Sequence, residues 1–233
     1  DGVDGWGNTN WYDKIYGTGT RTHHNISATG GSDRVRFFAS IGYLDEKGNI
    51  DNYGYNRLNL RSNIDAKLTK SLTFTLGVSG RIEKRDSPRY SANPDDWHNV
   101  PQQVIRALPY VPATYEYEGK VYNVSTPTAS SPVAPLASIN ESGYSKSNYS
   151  YIQSNFSLKY DAPWLKGLSF KFQGAYDLTY NFSKILTNPY EVMIMNLPTI
   201  ESTSLTYYKG TDASGNSISL SESASRGYTF TTQ

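Results

Sequence analysis

The stretch GYNRLNLRSNIDAKLTKSLTFTLGVSGRIEK, residues 54–84, decides the fold. From Leu58 every second residue is apolar or small: Leu60, Ser62, Ile64, Ala66 and Leu68, against Arg57, Asn59, Arg61, Asn63, Asp65 and Lys67. After Thr69, Lys70 and Ser71 the alternation restarts, with Leu72, Phe74, Leu76, Val78, Gly80 and Ile82 opposed to Thr73, Thr75, Gly77, Ser79, Arg81 and Glu83. A side-chain period of two is the mark of a strand with one oily and one polar face. The short polar break reads as a tight turn between two such strands.

Working outward, the same alternation appears over residues 23–29 (His24, Ile26, Ala28), 35–43 (Val35, Phe37, Ala39, Ile41, Tyr43), 149–160 (Ile152, Phe156, Leu158, Tyr160) and 168–183 (Leu168 to Phe182). A seventh strand is expected to begin near Ser225. Turns over residues 30–33, 69–71 and 161–167 are short, whereas the connections over 85–147 and 184–223 are very long and the one over 45–53 is intermediate. Compact soluble domains seldom carry loops of that length. A membrane barrel has short turns on one side and long loops on the other. Residues 168–183 also exceed the roughly 9–11 residues a tilted strand needs to cross a bilayer. The expected fold is therefore all-β: an antiparallel transmembrane β-barrel segment of about seven strands. Aromatics near the strand ends, Tyr160, Phe170, Tyr180 and Phe182, suit an interfacial girdle. The competing reading is a soluble β-sandwich of glycan-binding or adhesin type, which alternates with its apolar face inward. A self-contained barrel of eight strands is a third.

Composition agrees with a wet sheet. The 233 residues hold 22 Lys+Arg against 21 Asp+Glu, and only 37% are hydrophobic although 20 are Tyr. The charge balance and the lack of a dense basic run argue against nucleic acid. With no Cys there is no disulfide framework and no thiolate site. No apolar run approaches the ~18 residues of a membrane helix; the stretch Val192, Met193, Ile194, Met195 is among the longest. The start at Asp1 and the stop inside GYTFTTQ lead us to expect a piece of a longer polypeptide.

No catalytic constellation is legible, and the expectation is a protein without enzymatic activity, metal or cofactor. His23 and His24 are adjacent on a strand and point to opposite faces, so they cannot share a metal. Asp95, Asp96 and His98 read as the polar start of a short helix in PDDWHNVPQQVIRAL, residues 94–108. The run Asp45 to Asp51 lacks the spacing of a calcium loop. The candidate ligand-binding residues are aromatic: Trp97, Tyr110, Tyr115, Tyr117 and Tyr122 in the first long insertion, with Tyr207 and Tyr208 in the second. Their ring faces can stack on sugars. The prolines of the first insertion, Pro101, Pro109, Pro112, Pro127, Pro132 and Pro135, argue that it is ordered.

Three segments carry a specific resemblance: NTNWYD (residues 8–13), HNISATGGSDRVRFFASIGYLDEKG (24–48) and YNRLNLRSNIDAKLTKSL (55–72). They resemble the SusC/RagA family of TonB-dependent outer-membrane transporters of Bacteroidetes. ALPYVPATYEYEGKVYN (107–123) is similar to a loop segment of that family, and YDAPWLKGLSFK (160–171) to one of its periplasmic turns. The resemblance implies a barrel of about 22 strands closed by a plug. It further implies outer-membrane import of glycans or, in some members, peptides, a SusD-like surface lipoprotein as lid, and energy from TonB. Residues 1–233 are expected to be part of one such barrel domain; neither plug nor TonB box is legible in them.

Overall fold

The computed structural model describes residues 6–89, 100–125, 134–197, 205–211 and 219–232. Seven long strands form one antiparallel sheet: β1 (Thr20–Gly31), β2 (Val35–Lys47), β3 (Gly54–Lys67), β4 (Leu72–Pro88), β7 (Gly143–Asp161), β8 (Ser169–Thr187) and β11 (Ser219–Thr232), hydrogen-bonded in that order. The strands fall where the alternation predicts them but run further. Strand β4 continues to Pro88, β7 starts at Gly143 and β8 reaches Thr187, so the long connections are shorter than expected. The extensions of β4 and β7 are largely polar, and in that of β8 the adjacent Ile185 and Leu186 break the alternation, which is why the pattern alone ended the strands early.

Register keeps each face coherent across the sheet. Ile26, Ile41, Leu60, Gly80, Ile152 and Leu178 fall in one row. Gly30, Phe37, Ile64, Leu76, Phe156 and Gly174 fall in another on the same face. The Phe156 ring covers Gly174, where a Cβ would meet its edge. The opposite face carries rows such as Ser27, Ser40, Arg61, Ser79, Gln153 and Asp177. A slip of one residue would exchange the two faces, so burial preference fixes the register strongly.

Among the described residues nothing covers the apolar face. Ile26 is 72% exposed and Phe172 50%, and Phe37, Ile41, Leu60 and Phe170 are exposed as well. A β-sandwich would bury these side chains against a second sheet, so the sandwich reading fails. Within the sheet β1 and β11 are the edges, and the eight-stranded closed barrel is not formed by these residues.

The long insertions fold together at one end of the sheet. The first supplies helix α2 (Val100–Arg106), strands β5 (Thr114–Tyr117) and β6 (Lys120–Ser125), and helix α3 (Pro135–Asn140). The second supplies β9 (Glu191–Asn196) and β10 (Thr206–Thr211). They make one four-stranded sheet, ordered β10-β9-β6-β5, whose seam is a parallel pair: Val124 opposite Met193 and Ser125 opposite Ile194. The short helix α1 (Trp11–Ile15) joins them from before β1; Trp11 Nε1 donates to the Leu108 carbonyl at 2.9 Å and Thr9 Oγ1 to the Val111 carbonyl at 2.8 Å. Trp11, Ile15, Val100, Val111, Val124, Met193 and Met195 form a common buried core. The helix expected over residues 94–108 is found over Val100–Arg106, its proposed acidic start lying outside the described residues.

Candidate functional site

Two surfaces at the long-connection end carry polar and aromatic groups in number. The first is a cleft of about 1220 Å³ between the strand tops and the insertion sheet. Its roof comes from Lys120 and Tyr122 on β6 and Glu191 on β9; its floor includes Asp86, Tyr144, Lys146 and Leu186. Those floor residues lie in the rows of the apolar face, since Asp86 is opposite Lys146, and Tyr144 opposite Leu186. The cleft therefore sits on the outward side of the wall. Asn52, held at φ 66° in the β2–β3 connection, ties this rim to the insertions by donating to the Ile139 carbonyl at 3.0 Å.

The second surface is the polar face itself, densest on β3, β4 and β7. Arg57, Glu83 and Tyr149 share one row, Asn59, Arg81 and Tyr151 the next, and Tyr55 and Arg85 the one above. Arg81 Nε lies 2.9 Å and Arg85 Nη2 3.1 Å from the Glu83 carboxylate. The guanidinium of Arg81 stacks over Tyr151 at 4.4 Å, and that of Arg85 over Tyr149 at 5.3 Å and Tyr55 at 5.6 Å.

The aromatic candidates have diverse settings. Tyr110 packs edge-on against Trp6 at 5.7 Å, beside the insertion core. Tyr115 stacks on Tyr207 at 4.0 Å with the rings 20° from parallel. Tyr122 is 6% exposed, and its ring has the ammonium groups of Lys120 and Lys209 over it at 4.5 and 5.0 Å. Tyr117 and Tyr208 are exposed, at 40% and 53%. Trp97, with Asp95, Asp96 and His98, lies outside the described residues. Of the four candidates among the described residues, Tyr122 alone lines the cleft.

Local chemistry follows from these contacts. Burial raises the pKa of Tyr207, with Tyr115 adding to it, which favours the neutral phenol of Tyr207. The hydrogen bond with the Tyr122 side chain raises the pKa of Lys209, and Glu191 and Glu118 add to it, while loss of surrounding water pulls the other way. Burial, then Tyr12, raises that of Tyr16 at the end of α1. Among the described residues no group of three or more His, Asp or Glu is placed to hold a metal.

What the sequence reading missed was the insertion sheet. One signal for it was present: Glu118 and Gly119, with φ of 52° and 76°, make the two-residue turn of a β5–β6 hairpin. Glycine takes such angles without strain and the right-twisted hairpin requires them. The alternating Tyr115, Tyr117 and Lys120, Tyr122 around that turn could have disclosed it. The parallel seam to β9 had no local signal, because its two halves come from different insertions.

Comparison with known proteins agrees with this architecture. No family model matches the chain. It is 33% identical over 84 residues to TonB-dependent receptor P3 of Formosa agariphila, covering 36% of this chain and 8% of that one. It is 32% identical over 60 residues to TonB-dependent receptor SusC of Bacteroides thetaiotaomicron, covering 26% of this chain and 6% of SusC. Among solved structures, the RagAB peptide importer in its closed-closed state aligns over 95% of this chain and 30% of that one, with a TM-score of 0.57 at 16% identity. The open-open state gives a TM-score of 0.56 over 94% of this chain. The aligned regions thus span under a tenth of these curated relatives and less than a third of the importer chain.

Proposed function

We propose that this chain, whose sequence and fold mark it as a barrel segment of a TonB-dependent receptor of the SusC/RagA type, is part of the wall of an outer-membrane nutrient importer. The two-faced sheet carries this reading. From Leu72 to Ile82 the outward residues of β4 are apolar or glycine, and the flanking Lys84 and Asp86 are charged. At about 3.3 Å per residue that stretch is about 33 Å long, which a tilt of about 40° reduces to about 25 Å of height. That height equals the apolar band of an outer-membrane barrel. Tyr43 and Tyr180 lie towards one end of the band and Tyr160 and Phe170 at the other, where aromatic girdles belong.

In this reading residues 1–233 belong to one barrel domain, the polar face lines the lumen, and the insertion module stands on the outer side of the membrane. The transported nutrient is a glycan or oligosaccharide. Tyr117, with Trp97, is proposed to meet it, while Tyr110, Tyr115 and the buried Tyr122 hold the module in shape. A SusD-like lipoprotein closes over the module, and TonB acts through a plug that is not legible in these residues. The segment performs no covalent chemistry. RagAB is a peptide importer, and peptide import is the second reading.

The test is uptake by cells that carry the full-length protein as their sole importer. Fluorescent oligosaccharides of several linkages should accumulate, and a protonophore that removes TonB energy should stop them. Accumulation of peptides alone would replace the glycan reading. Extraction of the full-length protein from membranes by detergent-free alkaline buffer would sink the wall itself.

A further inference from the structure

The upper polar face of the sheet holds more positive charge than its own residues neutralise. Three guanidiniums, Arg57, Arg81 and Arg85, stand in adjoining rows around one carboxylate, that of Glu83. Glu83 is 5% exposed and is held by Arg81 and Arg85. The nearest other acid in these rows, Glu46, is taken by Arg21 at 2.8 Å. Asp177 lies a row lower and two strands over, opposite Gln153. Arg57 is directly opposite Glu83, yet its Nε is buried and has no hydrogen-bond partner; the same is true of Asn181 Oδ1 in the same row.

A network built only for stability would balance its charges or satisfy its buried donors. Among the described residues this one leaves a surplus of two positive charges and an unused guanidinium donor on the face away from the apolar band. Tyr149, Tyr151 and Tyr55 hold two of the guanidiniums by their flat faces. Stacking of that kind fixes the plane and leaves available the N–H groups that Glu83 does not take, a geometry suited to a planar oxyanion.

We infer that Arg57, Arg81 and Arg85 form an oxyanion station on the luminal face, one that takes a carboxylate or sulfate carried by the transported molecule. The inference rests on the import reading above and narrows it: the nutrient is acidic, a uronate- or sulfate-bearing saccharide. Glu83 orients two of the arginines, and Arg57 supplies the charge that the ligand neutralises. The same chemistry could be met by a carboxylate from another part of the longer polypeptide, and the experiment separates the two.

The full-length protein in detergent is titrated with sodium sulfate, and with sodium chloride at matched ionic strength, while its melting temperature is followed. Glucuronate and glucose form a second pair. Sulfate and glucuronate should each stabilise the protein where chloride and glucose do not. Arg57→Gln should weaken sulfate binding by about tenfold or more, and Arg57→Lys, which keeps the charge but not the fork, by less. Should Arg57→Gln fail to assemble, the wild-type titrations decide alone. Equal response to sulfate and chloride overturns the station. So does a protein silent to sulfate whose Arg57→Gln variant melts lower, since its own carboxylate then fills the site. The titration does not depend on uptake, so loss of all import with sulfate binding intact would fell the transport reading only.

Discussion

The wall and the insertion module use apolar side chains in opposite ways. On the wall, Ile26, Phe37, Leu60, Phe170 and Phe172 point away from the chain and stay exposed. In the module, Val100, Val111, Val124, Met193 and Met195 turn inward and are almost wholly buried. In the import reading, apolar side chains thus serve two solvents, lipid and water, in one chain. The contrast teaches that exposure of large apolar groups on the wall is organised: along the long strands it falls on alternate residues and stops where the strands turn polar, whereas elsewhere it is scattered, as at Ile105, Val121 and Trp164. A soluble protein with so broad an exposed apolar face would aggregate.

The largest effect should come from charging the module's core. Met193 sits at the parallel seam between the two insertions and is 1% exposed. Met193→Asp leaves an unpaired charge there, at a cost of about 4 kcal/mol. Proteolysis of intact cells should then cut the insertions, while the detergent-extracted wall keeps its β-sheet circular dichroism. If the wall is lost with the module, the two are a single cooperative unit and the contrast breaks.

A neighbouring pair on β4 sharpens the same contrast at smaller cost. Val78 belongs to the apolar face near the middle of the band, and Ser79 to the polar face. Val78→Arg should destabilise the full-length barrel by about 2–4 kcal/mol, as expected for a cation at the bilayer midplane. Ser79→Arg, one residue on, should change stability by no more than about 0.5 kcal/mol. Urea unfolding in lipid vesicles compares the two. Equal penalties would mean that the faces meet the same medium.

The legible part of the molecule was the part with two environments. Leu72 to Ile82 announce their strand because each step alternates between media, and register then follows from neighbours such as Leu60 and Gly80. The insertion module has one inside and one outside like any small globule, but its strands are four to six residues long. Too few residues alternate to be read, and the fourfold apolar run from Val192 to Met195 carries no period at all. The candidate tyrosines were legible as a cluster in sequence, not as separate environments. Nothing near Tyr115 in the chain discloses that its partner is Tyr207, and nothing near Arg57 discloses its unpartnered donor.

That Tyr115 to Tyr207 stack gives the smallest test and the one most particular to the module. The rings join β5 to β10, the two outer strands of the insertion sheet, which do not hydrogen-bond to each other. A stacked aromatic pair contributes about 0.5–1.5 kcal/mol beyond the area it buries. In a double-mutant cycle, Tyr115→Ala and Tyr207→Ala should couple by about 1 kcal/mol. The readout is local opening of β5 and β10 by hydrogen exchange in the full-length protein, since global unfolding would mix in the wall. Because burial raises the pKa of Tyr207, the fold favours its neutral form; that contribution is complete below the ordinary tyrosine value of about 10 and is lost as pH rises through the folded one. Exchange of the two strands should therefore stay flat through neutral pH and quicken, after correction for intrinsic base catalysis, only in strong alkali. Independent effects of the two substitutions would show that the rings are neighbours without being a clamp, leaving the parallel seam and its buried methionines to hold the insertions together.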